Sequence, residues 1–108
     1  MSSTLHAGEV FTLESLVTPT AHGIASRVLA RTAAGNITLF AFDAGEELSE
    51  HTAPFDALVL TLSGGLVLTI GGRDVQTMAQ SVVLMPANVP HAVRATEVSR
   101  MLLIMVRE

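Results

Sequence analysis

Gly45-Glu-Glu-Leu-Ser-Glu-His51-Thr-Ala53-Pro-Phe55-Asp56-Ala57-Leu-Val59-Leu-Thr-Leu-Ser-Gly64 is the stretch on which the fold turns. Glycine punctuates both ends, and the second half, Ala57 to Ser63, is an apolar run of strand length bounded by turn residues. Side chains two apart share a strand face, so Leu58, Leu60 and Leu62 fall on one side and Ala57 and Val59 on the other. Both faces are apolar, which is the pattern of a strand covered on both sides. Carried backwards, the same period places His51, Ala53, Phe55, Ala57 and Val59 in one row.

Working outward, the rest of the chain is a string of short apolar runs cut by turn residues. Strands are expected at Ile24 to Arg31, Asn36 to Asp43, Leu66 to Ile70, Arg73 to Thr77, Val82 to Met85, His91 to Ala95 and Arg100 to Arg107. Gly71-Gly72 reads as a two-residue hairpin turn. Val10 to Leu16 fits either a short strand or a helical turn. Met101-Leu-Leu-Ile-Met-Val106 does not alternate at all, a second strand that reads as covered on both faces.

Composition narrows the function classes. The 108 residues suit one domain. Charged residues are 15% of the chain against ~25% in average domains, and 49% are apolar. So much apolar area in a small chain points to a subunit interface, and a homodimer is the expected partner state. Ten acidic residues face six basic ones, all arginine and none clustered, so neither a nucleic-acid surface nor an anionic membrane surface is expected. The chain has no cysteine, which excludes a thiolate nucleophile or sulfur-ligated zinc and suits a cytoplasmic protein. Met1 to Val10 has neither the basic start nor the apolar centre of a secretory signal.

Two segments resemble the paired motifs of the cupin superfamily. The first motif reads G-x5-H-x-H-x3,4-E-x6-G; this chain has Gly45, His51 and Gly64, with Ala53 where the second His would stand and Ala57 where the Glu would. The second reads G-x5-P-x-G-x2-H-x3-N; this chain has Pro86 and His91, with Gln80 and Asn88 at the glycine positions and Ala95 at the Asn. Fifteen residues, Gly65 to Ala79, separate the two, like the short spacer of compact microbial cupins. Asn36 to Asp43 and Ser49 to Ala57 are also similar to a group of small single-domain cupin proteins. The resemblance implies an all-β fold, a single cupin (jelly-roll-like) β-barrel of two antiparallel sheets. It further implies residues 24–108 as the barrel, with 1–23 as an N-terminal arm or first strand region of the same domain. It implies a dimer but supplies no substrate.

The resemblance implies a barrel interior reached by His51 and, from a facing strand, His91. A tight metal site takes three or four protein ligands, and the motif frame keeps two. Asp56 is the candidate third ligand for a divalent metal ion, and alternation turns it outward unless a β-bulge re-aims it. Without metal, Ala53 and Ala57 leave a wide apolar pocket for a small molecule, with His51 and His91 as its polar groups and Phe55, Val59 and Met85 on its walls. Met101 and Met105 are further candidates for that wall. A metal-dependent dioxygenase needs the third ligand. A sugar epimerase of the cupin kind needs a tyrosine acid, and the chain has no tyrosine. An acid–base isomerase or lyase would pair His51 or His91 with Glu50 or Asp56. No Gly-x-Ser-x-Gly elbow supports a hydrolase. The leading expectation is a small-molecule-binding cupin, the alternative a metal-dependent enzyme, and the plainest a filled, purely structural barrel.

Overall fold

A computed structural model describes residues 4–107. One helical turn, α1 (Leu13–Leu16), precedes nine strands: β1 (Ile24–Thr32), β2 (Gly35–Phe42), β3 (Glu47–His51), β4 (Asp56–Ser63), β5 (Leu66–Ile70), β6 (Arg73–Gln76), β7 (Ser81–Met85), β8 (His91–Ala95) and β9 (Ser99–Val106). They form two antiparallel sheets, one in the order β1-β2-β9-β4-β7 and one in the order β3-β8-β5-β6. The architecture of two antiparallel sheets expected from the sequence is therefore present. The segment Val10 to Leu16 takes the helical alternative, over Leu13–Leu16. β3 is the strand the apolar pattern does not announce. It lies at a sheet edge, pairs only with β8 and carries a single large apolar residue, Leu48.

Turn chemistry explains the joints. Gly71 and Gly72 have φ of 58° and 82°, the pair of positive values that a tight hairpin between β5 and β6 requires. Gly64 has φ 78°, and a Cβ there would collide with Ser99 Oγ and the Val98 carbonyl oxygen. This is the physical reason for a glycine at the close of the first motif. At the two motif positions where glycine is replaced, Gln80 and Asn88, the backbone keeps positive φ, 69° and 64°. The left-handed geometry persists although the residues that tolerate it best are gone.

The sheets close on an apolar interior built from Phe42, Ala57, Val59, Leu66, Leu68, Met85, Val93, Ala95 and Met101. Burying each of the larger side chains contributes roughly 2 kcal/mol. Register aligns the inward rows: Ala57 sits between Met85 on β7 and Met105 on β9, and Val59 between Val83 and Leu103. The outward residues of the larger sheet explain the double-sided apolar pattern. Leu16 and Val17 of the N-terminal segment lie over Leu39 and Ala41, with Leu62 and Leu102 against the same cluster. Part of the second face is thus covered by the chain's own arm. Away from it, Leu84, Leu58 and Ile104 form one cross-strand row and Val82 and Leu60 begin the next beside Leu102; Val82 and Leu84 on β7 are 58% and 54% exposed, and Leu58, Leu60 and Ile104 are half-buried.

Candidate functional site

His91 opens β8 and His51 closes β3, and the two are register partners across these strands. Their rings meet edge to face, with centroids 4.4 Å apart and an interplanar angle of 69°. A bulge sets this geometry. Between the pairs Leu48–Val93 and His51–His91, β3 advances three residues while β8 advances two. Plain alternation would put Leu48 and His51 on opposite faces; the extra residue brings both onto one cavity. The bulge that Asp56 would need lies one strand earlier instead, and it re-aims the histidine.

His91 is 5% exposed, whereas His51 is open to solvent at the cavity mouth. Each ring is tethered in the same way. His51 Nδ1 is 2.9 Å from the Ser49 carbonyl oxygen, and His91 Nδ1 is 3.1 Å from that of Val89. A carbonyl oxygen only accepts, so Nδ1 carries the proton in both rings. In the neutral imidazole that leaves Nε2 as a lone-pair acceptor. The cavity they share has a volume of about 240 Å³. Its other walls are Phe40, Leu48, Met85 and Val93, with Met101, Leu103 and Met105 from β9.

The expected site residues separate into two places. His51, His91 and Met85 come together at the cavity, joined by Met101 and Met105. Ala57 and Val59 lie inward in the adjoining core without lining it. The single row drawn from His51 to Val59 does not exist as one strand, because β3 ends at His51 and β4 starts at Asp56 in the other sheet. Residues 52–55 are the loop between them. Ala53 uses its carbonyl there to accept the Asn88 N–H at 2.8 Å. Phe55 lies beneath the Arg107 guanidinium, 4.5 Å from the ring centroid, and not in the cavity. Asp56 Oδ1 accepts the Ala87 N–H at 2.9 Å, and the residue faces a separate cleft with Pro54, Asn88 and Arg107. Glu50 is exposed and lines neither cavity nor cleft. Phe40, Leu48, Val93 and Leu103 went unnamed in the sequence. Val93 and Leu103 were recoverable, since each lies two residues from a cavity residue on the same strand, His91 and Met101 or Met105.

The sequence pattern of the cupin domain family matches residues 38–107, which hold both histidines and the interior strands. The chain belongs to the cupin domain family. Among solved structures, it is similar to a conserved protein of unknown function from Streptococcus pyogenes, at 33% identity and a TM-score of 0.90 over 96% of this chain and 91% of that one. A cupin superfamily protein from Desulfitobacterium hafniense matches at 29% identity and a TM-score of 0.88, covering 96% and 95%. A cupin 2 conserved barrel domain protein from Leptotrichia buccalis is 36% identical, TM-score 0.86, over 90% of this chain and 47% of that one. No curated protein matches the chain.

The donor set of this cupin does not fit a tightly held metal. Two imidazole nitrogens face the cavity, and among the described residues no group of three or more His, Asp or Glu side chains could hold an ion. Asp56, the candidate third ligand, gives its carboxylate to the Ala87 backbone instead. Ala57 stands at the family's glutamate position, between two methionines.

Proposed function

We propose that this cupin is a cytosolic small-molecule-binding protein that holds its ligand in the His51–His91 cavity. One observation carries the reading: two imidazoles with their Nδ1 atoms tethered to backbone carbonyls open onto a cavity that is otherwise apolar. Tethering fixes the ring orientation before a ligand arrives, which lowers the ordering cost of binding. An apolar cavity with a few convergent polar groups is the usual form of a small-ligand site. The alternative, a metal-dependent dioxygenase or isomerase, needs a third protein ligand, and Asp56 is committed elsewhere. No helix among the described residues is long and apolar enough to cross a bilayer.

The same protein is proposed to work as a homodimer through the apolar outer face of the larger sheet, at Leu58, Leu60, Val82, Leu84 and Ile104. A second copy presents the same apolar surface and can close the contact with two-fold symmetry.

The test is thermal-shift screening of untagged protein against metabolites and divalent metals, repeated with the double variant His51→Ala/His91→Ala. Compounds are expected to raise the wild-type midpoint and to lose that effect in the variant. Identical shifts in both proteins, or none in either, would show the reading to be wrong. Metal content above ~0.1 per chain, or recovered on reconstitution, would revive the metal-dependent alternative.

A further inference from the structure

The tautomers of the two histidines say what kind of molecule the cavity takes; this inference rests on the small-molecule reading above and narrows it. With both Nδ1 hydrogens given to Ser49 and Val89 carbonyls, the neutral pair offers the cavity lone pairs and no N–H. No other polar side chain lines the cavity. An acceptor-only ligand such as an ether, ester or ketone would therefore bury its oxygen without a partner, which opposes binding. A carboxylate fares worse. No arginine lines the cavity, and the nearest cleft with one, at Arg107, is separate. The ligand must bring the hydrogen.

Size and wall chemistry narrow the body that carries it. A cavity of about 240 Å³ exceeds the roughly 150 Å³ that suffices for benzene, so one six-membered ring with a few further atoms fits. Phe40 and the thioethers of Met85, Met101 and Met105 supply the walls. Sulfur favours the edge of an aromatic ring, and three methionines around one cavity favour an aromatic guest over an aliphatic one of equal size. His51 at the open mouth and His91 in the buried depth give the hydroxyl two acceptors along the path of entry.

We propose that the cavity binds small uncharged phenols, the aryl hydroxyl donating to imidazole Nε2 of His91 or His51 and the ring packing among the methionines. The reading needs no metal and no covalent step.

The experiment is isothermal titration of the whole protein at pH 8.5 with EDTA present, using 4-methylphenol, 4-methylanisole, toluene and 4-methylbenzoate. These probes share a ring and differ in what they offer the imidazoles. 4-Methylphenol is expected to bind at least tenfold more tightly than 4-methylanisole or toluene, with 4-methylbenzoate weakest. His51→Leu and His91→Leu together are expected to erase the preference while toluene still binds, and Met105→Leu, which alters the wall but not the acceptors, is expected to keep it. Equal binding of the phenol and the anisole, or preference for the benzoate, would overturn the proposal and leave the cavity reading standing. Binding that appears only after a divalent metal replaces EDTA would also overturn it. Failure of every probe to bind would overturn the proposal, whereas the wider metabolite screen decides the cavity reading itself.

Discussion

Where β4 turns into β5, buried polar groups answer one another. Ser99 Oγ accepts the Gly65 N–H at 3.1 Å and lies 2.8 Å from the Glu97 carbonyl oxygen, to which it can donate. The hydroxyls of Thr61 and Thr77 are 2.8 Å apart, and Thr77 also reaches the Leu66 backbone. At the opposite end of the same barrel, His51 and His91 have one ring nitrogen bonded and the other left to an apolar cavity. At the first end these hydroxyls are answered from within the chain; at the second, the remaining imidazole nitrogens are left to the cavity and, at His51, to its open mouth. Two imidazoles held side by side with one nitrogen each unspent within the chain can be met by something from outside, and this contrast locates the candidate site.

The contrast predicts unequal responses to substitution. The largest effect is expected from Gly64→Ala at the self-satisfied end. The added methyl meets Ser99 Oγ and the Val98 carbonyl at a positive φ, so stability should fall by about 3 kcal/mol in urea denaturation. Thr61→Val at that end should cost about 1 kcal/mol, by leaving the Thr77 hydroxyl one partner short. His51→Leu at the cavity end should cost less than ~0.5 kcal/mol, because the ring is exposed and its removal leaves only the Ser49 carbonyl to water, while ligand binding weakens. If His51→Leu proved as damaging as Thr61→Val, the two ends would not differ in kind.

Two of the three left-handed non-glycine residues, Gln80 and Asn88, sharpen the comparison, since one lies towards each end. Gln80 donates its backbone N–H to the Thr61 carbonyl oxygen, and Asn88 donates its own to that of Ala53, in the loop that follows His51. Gln80→Gly should stabilise by about 0.5–1 kcal/mol, and Asn88→Gly by less, since asparagine tolerates this conformation better. Equal gains would mean that side-chain contacts, not backbone strain, set the difference. The smallest effect concerns Asp43, whose carboxyl is held below the ordinary carboxylate range by the backbone N–H groups of His22 and Ala44. A depressed folded-state pKa stabilises above the unfolded carboxylate value and stops doing so as pH falls through the folded one. The melting-temperature deficit of Asp43→Asn should therefore shrink on acidification from neutral pH, with little change between pH 6 and pH 8.

Most strands were legible because apolar runs and glycine turns are local signals. Leu66 to Ile70 and His91 to Ala95 begin and end where the pattern places them. β3 was not legible, since an exposed edge strand needs no apolar alternation, and Glu47 to His51 has almost none. That gap misled the reading of the site. With β3 unrecognised, His51 was joined to Ala53, Phe55 and Asp56 in one continuous register, although the chain changes sheets between them. The His51–His91 pairing itself was legible from motif spacing, but its bulge depends on cross-strand register, which no single strand encodes. The covered outer face is a similar case. Met101 to Val106 reads as apolar on both sides, but does not say that Leu16 and Val17 of the same chain cover part of the outer one.

Two tethered imidazoles that present free Nε2 acceptors to a bound ligand have a direct signature in the imidazole ¹⁵N NMR spectrum of histidine-labelled protein, recorded empty and then saturated with the tightest compound from the screen. His51 and His91 should be Nδ1–H tautomers in the empty protein, with a shift confined to Nε2 of one or both rings on loading. Protons found on Nε2 instead, or Nε2 signals that stay fixed while the compound is bound, would contradict that assignment.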